Sequence, residues 1–545
     1  MSLPLKMVKG PFATFLLLLV AIIPPNFLTI GDLCAAQNPV PVLKRVTEEK
    51  DPAKRIEILD EALQGEGLTD QTLASLYFER AVALKEIREY FRALEDLDTA
   101  MGHSRRLTKA LLEKAECLIK VDQLDEALLA LEKFLLLRPG TARAHTLMGM
   151  IYEKQGGGLK AEDEYTRALK YDPSYIPAYD ARAKILLKQG KPRKALQDLD
   201  TMLGLAPNNP DILIFRAAIY SKIRDYKSAL ADYTRAISLR PNDQEIRKNV
   251  VITYLMLDKP SKALEMLARY PGGSDDLEPA LLTARAYILS NDLKKADAIL
   301  AQIRNKWPNN AECRLLEGVI CSQRSQPDDA LSYLNAAIEL DPKFVEAYKE
   351  RAKTFVKIRE YVRAVNDLTI AAQLDPADGE IFCLRGEVQY QRWMFDAAAS
   401  DFSKAMETMS DDPRVIYGLG LVHIRQGDFQ SAFTDMDQVC KMKPDSARAV
   451  SMRGVVRYFL EDPEQSIVDL EKSVSMDPGD PLVLNNRGFF YLKAGNYTAA
   501  KSDFEKALTI DPCFLDAEQN LKLVESRRLQ EKLLDGSAYA DKGEK

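Results

Sequence analysis

Apolar residues recur at three- and four-residue steps in VEAYKERAKTFVKI and again in VRAVNDLTIAAQL, the two halves of the stretch Val345 to Asp378. That is the period of a helix with one buried stripe, and neither half shows the alternation of a strand. Two helices joined by a short turn are therefore expected. Pro376 ends the second, because proline lacks the amide donor and disfavours helical geometry in the residue before it. One such hairpin cannot cover its own apolar faces and must stack on copies of itself.

The copies appear when the chain is slid over itself by 34 residues. Prolines align at Pro139, Pro173, Pro207, Pro241, Pro308, Pro342, Pro376, Pro444, Pro478 and Pro512. A small residue aligns twelve positions earlier, from Ala93 through Ala127, Ala161 and so on to Ala500, with every interval 34 except Ala263 to Ala296. Twelve residues before those lies a second, mostly small residue, including Gly149, Ala183, Gly318, Ala352 and Gly488. Small residues at facing positions let two helix backbones approach closely.

With Ala352, Phe355, Ala364, Leu368, Ala371 and Pro376 at their offsets, the unit resembles the tetratricopeptide repeat (TPR) family. The resemblance implies an all-α, right-handed superhelical solenoid of thirteen helix-turn-helix units with helical caps. The units read 74–107, 108–141, 142–175, 176–209, 210–243, 244–276, 277–310, 311–344, 345–378, 379–412, 413–446, 447–480 and 481–514. The sixth is one residue short and carries Pro271, Gly272 and Gly273 where its second helix should finish, so an irregularity is expected between units 74–276 and 277–514.

Outside the repeats, Lys6 and Lys9 precede an apolar run from Phe12 to Ile23, and Cys34-Ala35-Ala36 precedes Gln37. A positive start, an apolar core and small residues at a cleavage position read as a secretory signal over residues 1–36. The chain is then exported to a periplasmic, extracellular or lumenal space. The alternative is an uncleaved anchor over residues 12–33, the one route to membrane contact. Residues 37–50, with Pro39 and Pro41, read as an extended linker. Asp51-Pro52 opens a capping helix over 51–64, with Asp51 as N-cap. Residues 515–534 read as a C-terminal capping helix, and 535–545 as a disordered tail.

Charge narrows the partners. With 75 basic against 81 acidic residues, the net charge of -6 and the lack of a basic stripe argue against nucleic acid. Seven cysteines in 545 residues are too few for a disulfide framework, and Cys117, Cys321, Cys383 and Cys440 read as small apolar residues. Only His103, His145 and His423 occur, in no recognisable catalytic or metal-binding constellation, and Gly156-Gly157-Gly158 lacks the preceding strand of a phosphate loop. No cofactor or metal is expected.

The repeats also carry their own statistics. Seven units have Arg just before the first-helix small residue, at Arg80, Arg182, Arg216, Arg351, Arg385, Arg453 and Arg487. All seven have Asp sixteen residues later, whereas only one of the other six has it, Asp435. The covariation predicts an ion pair between the two helices of one unit, and exposed pairs contribute about 0 to 1 kcal/mol each.

The resemblance also implies that a concave face is lined by the second, fifth, ninth and twelfth positions of each unit. Carried over, those offsets give basic residues in units three, four and nine: Arg143, Lys184, Lys349 and Lys353, with Lys188 and Lys357 nearby. In units eleven to thirteen they give Tyr417, Leu421, Ile424, Val455, Tyr458, Asn485, Phe489 and Leu492. Exposed apolar grooves mark binding surfaces, and aromatic residues serve as anchors. The expected function is a non-enzymatic scaffold that captures protein or peptide partners. The alternatives are a component of a polysaccharide export or envelope assembly machine, or a hydrolase with its site in the groove.

Overall fold

A computed structural model describes residues 40–269 and 276–534, which hold 29 helices and no strand. Twenty-six of these helices pair into thirteen hairpins. The chain divides into two compact units, Met1–Arg216 and Ala217–Lys545, each a stack of hairpins. The signal or anchor segment, the Pro271-Gly272-Gly273 stretch and the tail lie outside the described residues.

The hairpin Val345–Lys357 and Tyr361–Leu374 shows how sequence makes the unit. Its turn closes with Glu360 N–H on Phe355 O at 2.8 Å and Arg359 N–H on Val356 O at 3.0 Å, the paired bonds of a Schellman cap. Arg359 takes the left-handed conformation this cap requires, φ 63°. One residue in each hairpin has positive φ at this place, from Arg88 to Gly495, and the series shortens by one between Asp258 and Asn291. At the other end Asp375 accepts from the Ala377 amide at 3.1 Å, so Asp-Pro is a side-chain-closed turn as well as a helix stop.

Each apolar core is shared between neighbours. Leu112, Leu118, Leu131 and Phe134 of the second hairpin pack with Ala144, Leu147 and Ile151 of the third. Tyr348, Phe355 and Leu368 of the ninth pack with Ile381 and Val388 of the tenth. Small residues set the depth of contact within a hairpin. A Cβ placed on Gly149 would lie 2.4 Å from the ring of fully buried Tyr165, and one on Gly488 2.7 Å from Phe504, each sixteen residues on.

Two departures from the sequence reading have local causes. Residues 37–50 are not an extended linker throughout, because Val40–Glu48 is a helix. Val42, Leu43 and Val46 share a stripe that packs on Leu59 and Leu76, and Pro41 falls in the first turn, where a missing N–H costs little. The first repeat begins at Asp70, a turn earlier than the 34-residue phase places it, because the Thr69 hydroxyl caps the Thr72 amide at 3.2 Å. In the sixth hairpin the second helix, Pro260–Leu267, stops after eight residues, while the compact units part inside the fifth repeat, at Arg216 and Ala217.

The capping helix Pro52–Leu63 starts on Asp51, which accepts from the Ala53 amide at 3.0 Å. At the far end Ala517 and Val524 of the helix Leu515–Leu534 seal the core of the thirteenth hairpin. Among the described residues no helix is long and apolar enough to cross a membrane.

Candidate functional site

The predicted arginine–aspartate pair is present and does more than join the helices of one unit. Arg385 donates from Nε and Nη2 to the two Asp401 carboxylate oxygens at 2.9 and 2.7 Å. The same fork joins Arg80 to Asp96, Arg182 to Asp198, Arg351 to Asp367, Arg453 to Asp469 and Arg487 to Asp503. The remaining nitrogen, Nη1, reaches back to the preceding repeat: Arg385 to Thr369, Arg182 to Thr166, Arg351 to Asn335 and Arg453 to Asp437, each sixteen residues earlier. One guanidinium therefore staples three helices. The pairs are also not exposed, as the sequence reading assumed, since Asp401 is 5% accessible. These arginines are structural.

The basic residues expected on the first-helix face are paired as well. Arg143 bonds Glu116, Lys184 bonds Asp180, Lys188 bonds Glu153, Lys353 bonds Glu350 and Lys357 bonds Ser322. Lys349 is buried, its ammonium 3.2 Å from Glu346 and Asp378 and 3.1 Å from Glu380. The tenth unit supplies much of this cluster, and the sequence reading passed it over. Its own offsets place Glu380, Cys383, Glu387 and Tyr390 on the same face, with Arg414 following in the eleventh. Burial pushes the Glu380 carboxyl up, but Lys349 and Arg224 pull it down further, to about 2. Glu387 has the Cys383 thiol at 3.7 Å, and desolvation raises its carboxyl despite Arg414. Desolvation also pushes the Cys383 thiol up to about 12, so it is an unreactive buried group. Cys117 and Cys440 are likewise buried, whereas Cys321 is only half-buried.

Of the eight apolar-face candidates, six remain half-buried: Tyr417, Leu421, Ile424, Val455, Tyr458 and Phe489. Two do not line an open surface. Leu492 is 7% accessible and packs with Leu484, Phe504 and Val524, and Asn485 is 6% accessible, accepting from Asn520 of the C-terminal helix at 2.9 Å. The C-terminal cap covers both, as a following repeat would have done. Tyr458 and Phe489, on adjacent first helices, meet edge to face at 6.4 Å between centroids. Phe459 extends the cluster, stacked on Phe429 at 4.6 Å and 40% accessible. Desolvation pushes the Tyr417 phenol up to about 12, against the pull of Arg448. The surface thus combines an aromatic edge in units twelve and thirteen with a charged cluster in units nine to eleven.

Among the described residues, helical hairpins with cores shared between neighbours define an all-α repeat solenoid. The chain carries tetratricopeptide repeats: models described as tetratricopeptide repeat match residues 181–272, 280–310, 413–446 and 481–512. Stress-induced-phosphoprotein 1 of Caenorhabditis elegans is 28% identical over 158 residues, 29% of this chain and 48% of that protein. The chain therefore spans about half the length of the curated relative it matches. Two solved structures are similar. The APC/C hetero-tetramer Cut9-Hcn1 aligns with TM-score 0.47 and 17% identity over 88% of this chain and 94% of that one. A tetratricopeptide repeat protein from Parabacteroides merdae aligns with TM-score 0.39 and 20% identity over 46% of this chain and 98% of that one.

Proposed function

We propose that the chain is a non-enzymatic scaffold that works outside the cytoplasm and captures an extended protein segment on the first-helix face of units eleven to thirteen. The observation that carries this reading is the half-buried Tyr458–Phe489 pair, 6.4 Å between ring centroids on neighbouring helices, continued by Phe459. Aromatic groups held rigidly by their neighbours and still open on one side are the common anchors of protein interfaces. Units in register repeat that contact along a segment, so several weak contacts add. The positive start, apolar core and small residues before Gln37 support export.

Crosslinked cells expressing the full chain test both parts. Captured proteins are compared between wild type and the Tyr458→Ala/Phe489→Ala variant, with circular dichroism confirming the helices. Loss of a stoichiometric partner supports the surface, and unchanged capture overturns it. Mass spectrometry of the N-terminus reads the export part, because a start at Gln37 means cleavage after secretion and an intact N-terminus means an anchored or unexported chain.

A further inference from the structure

The thirteen turns provide an internal control for one contact that the repeat pattern does not predict. At the left-handed position of the turn, twelve of the thirteen residues are exposed, including Arg88 and Arg359. Arg224, in the fifth unit, carries the same side chain at the same φ, 63°, and is half-buried. What covers it lies 156 residues away: its Nη2 donates to Glu380 Oε2 at 2.8 Å. Glu380 stands at the second position of the tenth unit's first helix, on the first-helix face. Lys349 holds the same oxygen at 3.1 Å, and Arg414 lies 3.8 Å from the other. Tyr226, two residues beyond Arg224, is half-buried too, and its charged neighbours include Arg224, Glu380 and Asp378.

We propose that Arg224 and Glu380 form a latch that draws the turn of the fifth repeat onto the first helix of the tenth and closes the first-helix face over units nine to eleven. Neighbouring hairpins elsewhere are joined by shared apolar cores, which do not come apart singly. This contact joins hairpins five repeats apart through one charge-assisted hydrogen bond between partly exposed side chains. Such a bond is strong enough to bias a two-state closure and weak enough to be reversed by a competing ligand or by salt. The curvature of a solenoid is the sum of small rotations at each repeat, so repeats well apart in sequence can be brought within reach of one another. The latch goes beyond the binding reading and does not depend on any partner occupying the face.

Double electron–electron resonance on the full chain tests it, with Cys34, Cys321 and Cys513 replaced by Ser and spin labels on Lys227→Cys and Glu407→Cys, both exposed positions. Wild type is expected to give a short, narrow distance distribution. Arg224→Glu lengthens and broadens it, lowering the closed-to-open ratio roughly tenfold, the size expected for one hydrogen bond to a charged group. The replacement fits the turn, since Glu461 takes the same place in the twelfth unit with φ 61°. Arg224→Gln reads the same loss without reversing the charge, and Arg224→Lys keeps the short distance. Arg359→Glu, the same change in an exposed turn, leaves it unaltered. A wild-type distribution in both Arg224→Glu and Arg224→Gln overturns the latch, as does an equal shift in Arg359→Glu.

Discussion

His423 Nδ1 lies 2.7 Å from Asp435 Oδ2, in the one repeat that keeps the second-helix aspartate without the first-helix arginine. Leu419 stands where the arginine would be, and His423, one turn further along the same helix, reaches the carboxylate instead. The third repeat solves the same problem with His145, bonded to Glu164 at 2.7 Å. The interhelical bond is thus kept where its usual donor is missing. His423→Ala should leave Asp435 without a partner and destabilise the eleventh hairpin by about 1–2 kcal/mol. Native-state hydrogen exchange of Phe429–Met442 reads this, and unchanged protection would mean the bond contributes nothing.

The arginine staple gives a larger effect. Arg385→Ala removes both bonds to Asp401 and strands a carboxylate that is 5% accessible, for a loss of about 2–4 kcal/mol. Arg385→Ala/Asp401→Ala should recover part of that loss, because no charge is then left buried. Urea titrations of both variants and of Asp401→Ala make the double-mutant cycle, and additive losses would show that the two residues act separately.

Close approach of helices is tested at Gly149. Alanine is the better helix former by about 1 kcal/mol, but its Cβ would sit 2.4 Å from the rigid, buried ring of Tyr165. Overpacking costs about 1–3 kcal/mol, so Gly149→Ala should lose stability overall, and Gly149→Ala/Tyr165→Leu should regain it. The residue one unit later is already Ala183, with buried Leu199 sixteen residues on, which is the pair of residues the double variant copies.

Two pH dependences of opposite sign follow from the ion pairs. Glu380 is held near 2, below its usual 4.5, so its bonds to Lys349 and Arg224 stabilise the tenth unit above pH 4.5 and are lost as the pH falls towards 2. His145 is held above its usual 6.5, chiefly by its hydrogen bond to Glu164, against the cost of burial. Its contribution is complete below pH 6.5 and is lost as the pH rises through the raised value. Thermal unfolding of His145→Gln should therefore converge with wild type as the pH rises, whereas Glu380→Gln should converge with it only in acid.

Hydrophobic period, prolines and paired small residues determined the hairpin, its recurrence and the arginine–aspartate register by themselves, because each depends on contacts within one unit or with the next. Repetition makes such contacts visible: arginine and aspartate stand sixteen residues apart, as Arg385 and Asp401 do, in all seven units that carry the arginine. Tertiary structure alone decided the rest. Val40–Glu48 is helical because Leu59 and Leu76 offer its stripe a surface, and that surface does not exist until the first repeats have stacked. Leu492 and Asn485 fit the groove offsets yet are covered, because the C-terminal helix lies where a fourteenth repeat would begin. Arg224 and Glu380 meet across five repeats through accumulated curvature, and no spacing along the chain records a rotation summed over hairpins.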